Sequence, residues 1–285
     1  MQHGPAVRRR KLGAELRALR TGAGLTSGEA ARLVGWHQSK VSRIETGASG
    51  VKPPDVRLLL DVYGVEDDEL RELLLVLSGV RDGRRDHWWH AYRGVLPPTY
   101  RDFISLESQA SAMRTLETSV VPGLLQTPEY ARAVTSAAVG TVDEDRLDAL
   151  VEVRLARQDV LRSDPPLALD AVLDEAVLHR EVGGPEVMAR QRARLVEAAR
   201  LPQVRLQVLP FSAGAHIGIT GPFVIFSFPS TSDLDVVVLD HLTSSLYLER
   251  KEDLRAYTEA FDSLRIHALS PEDSLDVIAG TGDGA

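Results

Sequence analysis

Apolar positions along the first 78 residues recur at helical spacing, in short runs that glycines interrupt. Leu12, Leu16 and Leu19 share one face of residues 8–20, and Thr21-Gly22-Ala23-Gly24 closes that run with glycines suited to a C-cap. Thr26-Ser27-Gly28-Glu29 has the form of a capping box, with Thr26 as N-cap and Glu29 reaching back. A second helix is therefore predicted through Ala30, Ala31, Leu33 and Val34 to Gly35. A third covers residues 38–45 and stops at Thr46-Gly47. Pro53-Pro54 opens a fourth that runs to Tyr63, Gly64 breaks it, and residues 66–77 form a fifth. Residues 1–78 are thus predicted to be one all-helical domain. Residues 79–86, polar and glycine-bearing, are predicted to be a linker.

The pattern changes in residues 87–285. Helical spacing is predicted over about 99–119, 128–139 and 143–162, and Thr127-Pro128-Glu129 supplies an N-cap, an N1 proline and a first-turn acid. Residues 167–173 read as a strand, and 174–180 and 185–200 as helices. Val204-Arg-Leu-Gln-Val-Leu209 alternates apolar and polar, the mark of a half-buried strand. Further strands are predicted at 223–228, 235–239 and 245–248, then a last helix over 249–268 and a frayed, glycine-rich tail. The fold class expected here is α+β, with a mainly antiparallel sheet.

Composition narrows the function. The chain has 285 residues, 44% of them hydrophobic and 26% charged, the balance of a globular protein of about two domains. It has no cysteine, which excludes disulfides, thiolate nucleophiles and cysteine-ligated metals. No apolar run approaches the roughly 18 residues of a membrane helix. Arg8-Arg9-Arg10-Lys11 is not followed by an apolar segment, so no signal peptide is expected and a cytoplasmic location is. The net charge of −8 hides an asymmetry. Residues 1–57 carry eleven Lys/Arg against four Asp/Glu, whereas residues 58–285 carry twenty-two against thirty-seven. A basic module on an acidic body concentrates positive potential where a polyanion would bind.

The second and third helices, joined at Gly35, form a helix-turn-helix, whose second helix enters the major groove. Gln38 suits a paired contact to adenine, and Arg43 suits guanine or phosphate. Ser39 and Ser42 are short adaptable donors, Lys40 is a cation for phosphate, and Val41 and Ile44 face inward. The run from Leu25 to Gly47, ending in Ser42-Arg-Ile-Glu-Thr-Gly47, resembles the xenobiotic-response-element (Cro/CI-like) helix-turn-helix family. The resemblance implies a λ-repressor-like domain, base readout by Gln38, Ser39 and Arg43, and backbone contacts from Ser27, Lys40 and Ser42. Trp36-His37 departs from the small residues commoner in that turn. Trp36 either packs on the domain or leans toward the sugar-phosphate edge, and His37 is kept among the DNA contacts.

Other segments resemble an actinobacterial, antitoxin-like regulator family. They are Val121-Pro-Gly-Leu-Leu-Gln-Thr-Pro-Glu-Tyr-Ala-Arg132, Arg154-Leu-Ala-Arg-Gln158, Leu173-Asp-Glu-Ala-Val-Leu178, Gly183-Gly-Pro185, Val208-Leu-Pro-Phe211, Gly214-Ala-His216, Gly221-Pro-Phe223 and the stretch from Trp88 to Tyr100. That resemblance implies a transcription regulator whose C-terminal domain binds a small partner protein. The alternative is a regulator that senses a small molecule there. A homodimer on double-stranded DNA is expected, because one such motif reads only a few base pairs.

Few other residues suggest chemistry. His87 and His90 beside Asp86 lack a third metal ligand in the sequence and read as linker-proximal polar residues. Glu175, His179 and His216 hold acid and base chemistry with no sequence evidence that they meet. Gly214, Gly218 and Gly221 make no dinucleotide fingerprint, and no Walker A or G-x-S-x-G motif occurs, so neither enzyme activity nor a cofactor is expected. Trp88, Trp89, Tyr92, Tyr100 and Phe103 form either a core seam between the halves or the wall of a pocket or partner groove. Trp88, Trp89, Val121, Leu124 and Leu125 are the candidates for the partner contact.

Overall fold

A computed structural model describes residues 4–78, 88–92, 94–140, 143–228, 235–242 and 244–280. The chain divides into two units, residues 1–86 and 87–285, and the expected linker at 79–86 lies outside the described residues. No described helix is long and apolar enough to cross a membrane.

Among the described residues the first unit holds five helices: α1 (Gly4–Gly22), α2 (Ser27–Leu33), α3 (Gln38–Glu45), α4 (Pro53–Val62) and α5 (Asp68–Leu77). Thr26 and Glu29 form the full capping box at the start of α2. Leu12, Leu16, Ala30, Ala31, Val41, Ile44, Val56, Leu59, Leu60 and Leu74 are its core. Two contacts fix α3 against α1. A Cβ on Gly13 would lie 2.4 Å from the Ile44 carbonyl oxygen, so only glycine admits this approach of α1 to the end of α3. Arg20 donates to both carboxylate oxygens of Glu45, at 2.6 and 3.0 Å, and to the Leu25 carbonyl at 2.6 Å. One guanidinium thus joins α1, the loop before α2, and the end of α3.

The second unit is α+β, as expected. Its elements are α6 (Pro98–Gln109), β1 (Ala112–Glu117), α7 (Pro128–Val139), α8 (Glu144–Ala156), β2 (Ala168–Asp174), α9 (Ala176–His179), α10 (Pro185–Ala198), β3 (Val204–Leu209), β4 (Phe223–Ser227), β5 (Val236–His241), β6 (Ser244–Leu248), α11 (Lys251–His267) and α12 (Pro271–Gly280). One sheet runs β3-β2-β1-β4-β5-β6. The pairs β1–β4, β4–β5 and β5–β6 are antiparallel, and β1–β2 and β2–β3 are parallel, joined by helical crossovers. The sheet is mainly antiparallel, with a parallel flank. Leu116, Val172, Phe223, Ile225 and Val237 on one face pack with Phe261 and Leu264 of α11. On the other, Phe226 meets Phe103 of α6 edge to face, centroids 5.2 Å apart.

Three expectations are corrected. Residues 112–117 are a strand and not the end of a helix. Ala-Met-Arg-Thr-Leu-Glu has one β-branched residue and good helix formers, but pairing on both edges at the centre of the sheet overrides that local preference. The tail is not all frayed, because 271–280 form α12. Ser270 Oγ accepts the Asp273 amide at 3.0 Å as an N-cap, and Ser274 Oγ, fully buried, accepts the Val208 amide at 2.9 Å. The aromatic cluster is a seam inside the second unit. Trp89 packs with Leu96, Ile104, Leu150 and Val153, and Trp88, Tyr92 and Tyr100 flank it.

Candidate nucleic-acid interface and C-terminal cavity

The capping box starts α2, and Gly35, at φ +70°, turns the chain so that the Trp36 amide reaches the Ala31 carbonyl at 2.7 Å. That turn directs α3 outward. Val41 and Ile44 are buried, while His37, Gln38, Ser39, Ser42 and Arg43 are exposed. Helical spacing places Gln38 with Ser42 and Ser39 with Arg43 on the outer side, each pair four residues apart. Gln38 Nε2 donates to Ser27 Oγ at 3.1 Å, which ties the first residue of α3 to the first of α2. His37 Nδ1 lies 3.1 Å from Ser39 Oγ. Ser27, His37, Gln38 and Ser39 are therefore brought together, and Ser42 and Arg43 extend the same surface along α3.

Lys40 has partners within the domain. Its Nζ sits 3.0 Å from Asp55 Oδ2 and 3.5 Å from the centre of the Trp36 ring. The cation expected to meet phosphate is paired in the free chain with a carboxylate that α4 presents beside α3. The same contact holds the half-buried Trp36 ring beneath the Lys40 ammonium. The clamp from Arg20 to Glu45 was missed at the sequence level, since residues 25 apart give no periodic signal.

The expected partner contacts are mostly inside. Val121, Leu124 and Leu125 are 1% exposed or less, and Trp89 is 5% exposed; only Trp88 is half-buried. The docking loop is corrected to core. Its polar backbone is satisfied internally: Tyr130 Oη accepts the Val121 amide, Gln126 Nε2 donates to the Val121 carbonyl, and Gln191 Nε2 donates to the Leu125 carbonyl, all within 3.0 Å.

That loop helps to enclose a cavity of about 190 Å³ on the α6 side of the sheet. Thr115 and Glu117 of β1, Val224 of β4 and Val238 of β5 form its floor, and Phe103, Arg154 and Arg157 its roof. Arg157 donates to both oxygens of Glu107, at 2.8 and 2.7 Å, and to Tyr100 Oη at 2.7 Å. Burial works against its charge, but Glu107 and Tyr100 outweigh it and hold the guanidinium firmly protonated. Arg154 has a weaker position: burial lowers its pKa, and its Nη1 donates to Gln126 Oε1 at 3.2 Å. Burial pushes the Glu117 carboxyl up to about 7, against the pull of Thr115, Arg154 and Arg157.

At the end of β2, acid and base residues do gather. Glu175 Oε1 lies 3.3 Å from His179 Nε2, and Asp174 Oδ2 lies 3.9 Å from His216 Nε2. Glu175 also accepts the Phe211 amide at 2.7 Å and Asp174 the Ala176 amide at 2.9 Å, so both carboxylates tie turns together. Of the pair considered for a metal, His87 lies outside the described residues, as does the side chain of His90. Among the described residues no group of three or more metal-binding side chains occurs.

Residues 100–280 match a family described as Domain of unknown function (DUF5753), and residues 11–74 match one described as a helix-turn-helix domain. No curated protein and no solved structure matches the chain.

Proposed function

The chain belongs to the DUF5753 family, and we propose that it is a sequence-specific transcription regulator that reads double-stranded DNA with α3 and takes its signal through the C-terminal unit. The helix-turn-helix domain supports a DNA-binding regulator. One observation carries the reading: α3 buries Val41 and Ile44 and turns Gln38, Ser39, Ser42 and Arg43 outward. The protein works by binding, without turning over a substrate, and it does so in the cytoplasm as a homodimer. Two copies give the paired half-sites that lift affinity above that of one motif. To test the reading, sites are selected from random duplexes and Gln38→Ala is compared with the native chain. The variant loses roughly 1–3 kcal/mol on the selected site and relaxes preference at one base pair. Unchanged preference refutes α3 as the reader.

A second reading follows the antitoxin-like resemblance, with a small partner protein docking on the C-terminal unit. The buried Val121–Leu125 loop does not serve it. Its support is exposed apolar side chains near one another in sequence: Phe211, Ile217 and Ile219 are 60%, 51% and 70% exposed on a unit with eighteen Lys/Arg against twenty-nine Asp/Glu. The net acidic charge of the unit steers a basic partner toward it.

A further inference from the structure

Two guanidiniums converge over the turn at Gly123. A Cβ on that residue would lie 3.5 Å from Arg154 Nη1 and 3.6 Å from both terminal nitrogens of Arg157. Glu107 neutralises Arg157 with a bidentate pair. Arg154, three residues earlier, receives only the neutral oxygen of Gln126 among the hydrogen bonds of the described residues. Arg154 is part-buried, and desolvation lowers its pKa even though Glu117 and Glu107 both attract it without a hydrogen bond; a cation so placed gains from an anion brought against it. Glu117 stands across the cavity and attracts Arg154, but burial favours its neutral form. The walls between these groups are apolar: Phe103, Met113, Val121, Val224 and Val238. Pro222 and Asp240, both exposed, form the rim.

We propose that this cavity binds a small carboxylate with an apolar body, the carboxylate on Arg154 and the body against Phe103, Met113, Val224 and Val238. The proposal rests on the reading of the C-terminal unit as the part that receives the signal, and it names the chemistry of that signal. The volume sets the size. A void of about 150 Å³ holds one benzene ring, so about 190 Å³ takes a branched aliphatic or single-ring acid. A nucleotide is too large for this volume, and an amine finds Arg154 repulsive.

Binding is linked to Glu117. The groups acting on it are Thr115 on its own strand, Arg154 and Arg157 from the roof, and Asp240 from β5; its charge in turn acts on Tyr130 of α7. The arriving anion adds a like charge and favours the protonated form. Above about pH 7 Glu117 must take up a proton for the acid to bind, so affinity falls by up to about tenfold per pH unit. Below that pH the dependence flattens.

The test is calorimetric titration of the full chain, without DNA, at about pH 6. The ligands are 4-methylpentanoate and benzoate, with 4-methylpentanamide and 3-methylbutylamine as neutral and cationic counterparts. Both acids give saturable one-to-one binding, and the amide and amine bind roughly tenfold or more weakly, the loss expected for one charge-assisted pair. Arg154→Gln removes the preference for acid over amide. Val224→Phe fills the floor and abolishes binding of every ligand while the circular dichroism melt is retained; it decides the matter if Arg154→Gln does not fold. Absence of binding by both acids, equal binding of amide, or binding retained in Val224→Phe overturns the proposal. Binding of selected duplex DNA is measured on the same preparation. A chain that binds DNA but no acid refutes the cavity assignment alone, and one that binds acid but no DNA refutes the regulator reading alone.

Discussion

Arg20→Ala is the most informative perturbation of the DNA-binding unit, because it loosens α3 without touching the reading surface. The Arg20 and Glu45 side chains are 11% and 6% exposed, joined by contacts of 2.6 and 3.0 Å, and Arg20 also satisfies the Leu25 carbonyl. Removing one partner of a buried pair costs about 3–5 kcal/mol, since it strands the other charge. The residual exposure places this pair at the low end, about 3 kcal/mol. Small domains have about 5–15 kcal/mol in total, so the change is a large share of the unit's stability. The pair as a whole contributes much less, because an apolar replacement of both partners is often neutral. Arg20→Met with Glu45→Leu therefore recovers most of the loss. Amide hydrogen exchange of α3 peptides in the full chain, followed by mass spectrometry, reads the opening free energy locally. A loss below about 0.5 kcal/mol for Arg20→Ala is what an exposed pair gives, and it refutes the clamp. A double variant no better than the single one refutes the stranded charge as the cause.

Three further outcomes are expected. Lys40→Ala lowers affinity for all duplexes but flattens the dependence of log K on log salt by less than half of the roughly 0.9 that one phosphate contact gives, because Lys40 already pairs with Asp55; a full unit shows that it leaves Asp55 for phosphate. Sedimentation equilibrium of the full chain at micromolar concentration gives a dimer, and a clean monomer refutes that part of the proposal. A pull-down from native lysate with the full chain recovers a small basic protein that Ile219→Asp reduces; equal recovery by the variant refutes the Phe211–Ile217–Ile219 patch as the docking site.

Short-range signals were legible in the sequence, and long-range ones were not. The capping box, the glycine at Gly35 and the inward pair Val41 and Ile44 depend on neighbours within four residues, and all three are found where the pattern places them. The alternation in 204–209 likewise gives β3. Residues 112–117 failed because Ala-Met-Arg-Thr-Leu-Glu favours a helix on its own, and the strands that pair with it, β2 and β4, are distant in sequence. α12 carried a signal that was passed over: Ser270-Pro271-Glu272-Asp273 has an N-cap and an N1 proline before two acids, the same start as Thr127-Pro128-Glu129. The loop at Val121–Gln126 misled in a different way. An apolar loop reads as a sticky edge unless the residues that satisfy its backbone are known, and these come from Tyr130 and Gln191, the latter more than 60 residues away.

The cavity was beyond sequence reasoning for the same reason, and its position follows from topology. Reading outward from β1, one neighbour is parallel and the other antiparallel, so the chain must leave β1 by a helical crossover on one side and return on the other from β3 to β4. In open sheets this reversal leaves a crevice near the carboxyl end of the strand, where the two connections part. Glu117 is the last residue of β1, and Phe223 opens β4 beside it. The crossover through α8 then carries Arg154 and Arg157 over the same point, one turn apart, so that both guanidiniums meet the gap. Arg157 holds the Glu107 carboxylate in hydrogen bonds, whereas Glu117 and Glu107 attract Arg154 without one. Compactness alone would have filled this gap with leucine; a part-buried cation held there against desolvation is what the proposed site for a carboxylate uses.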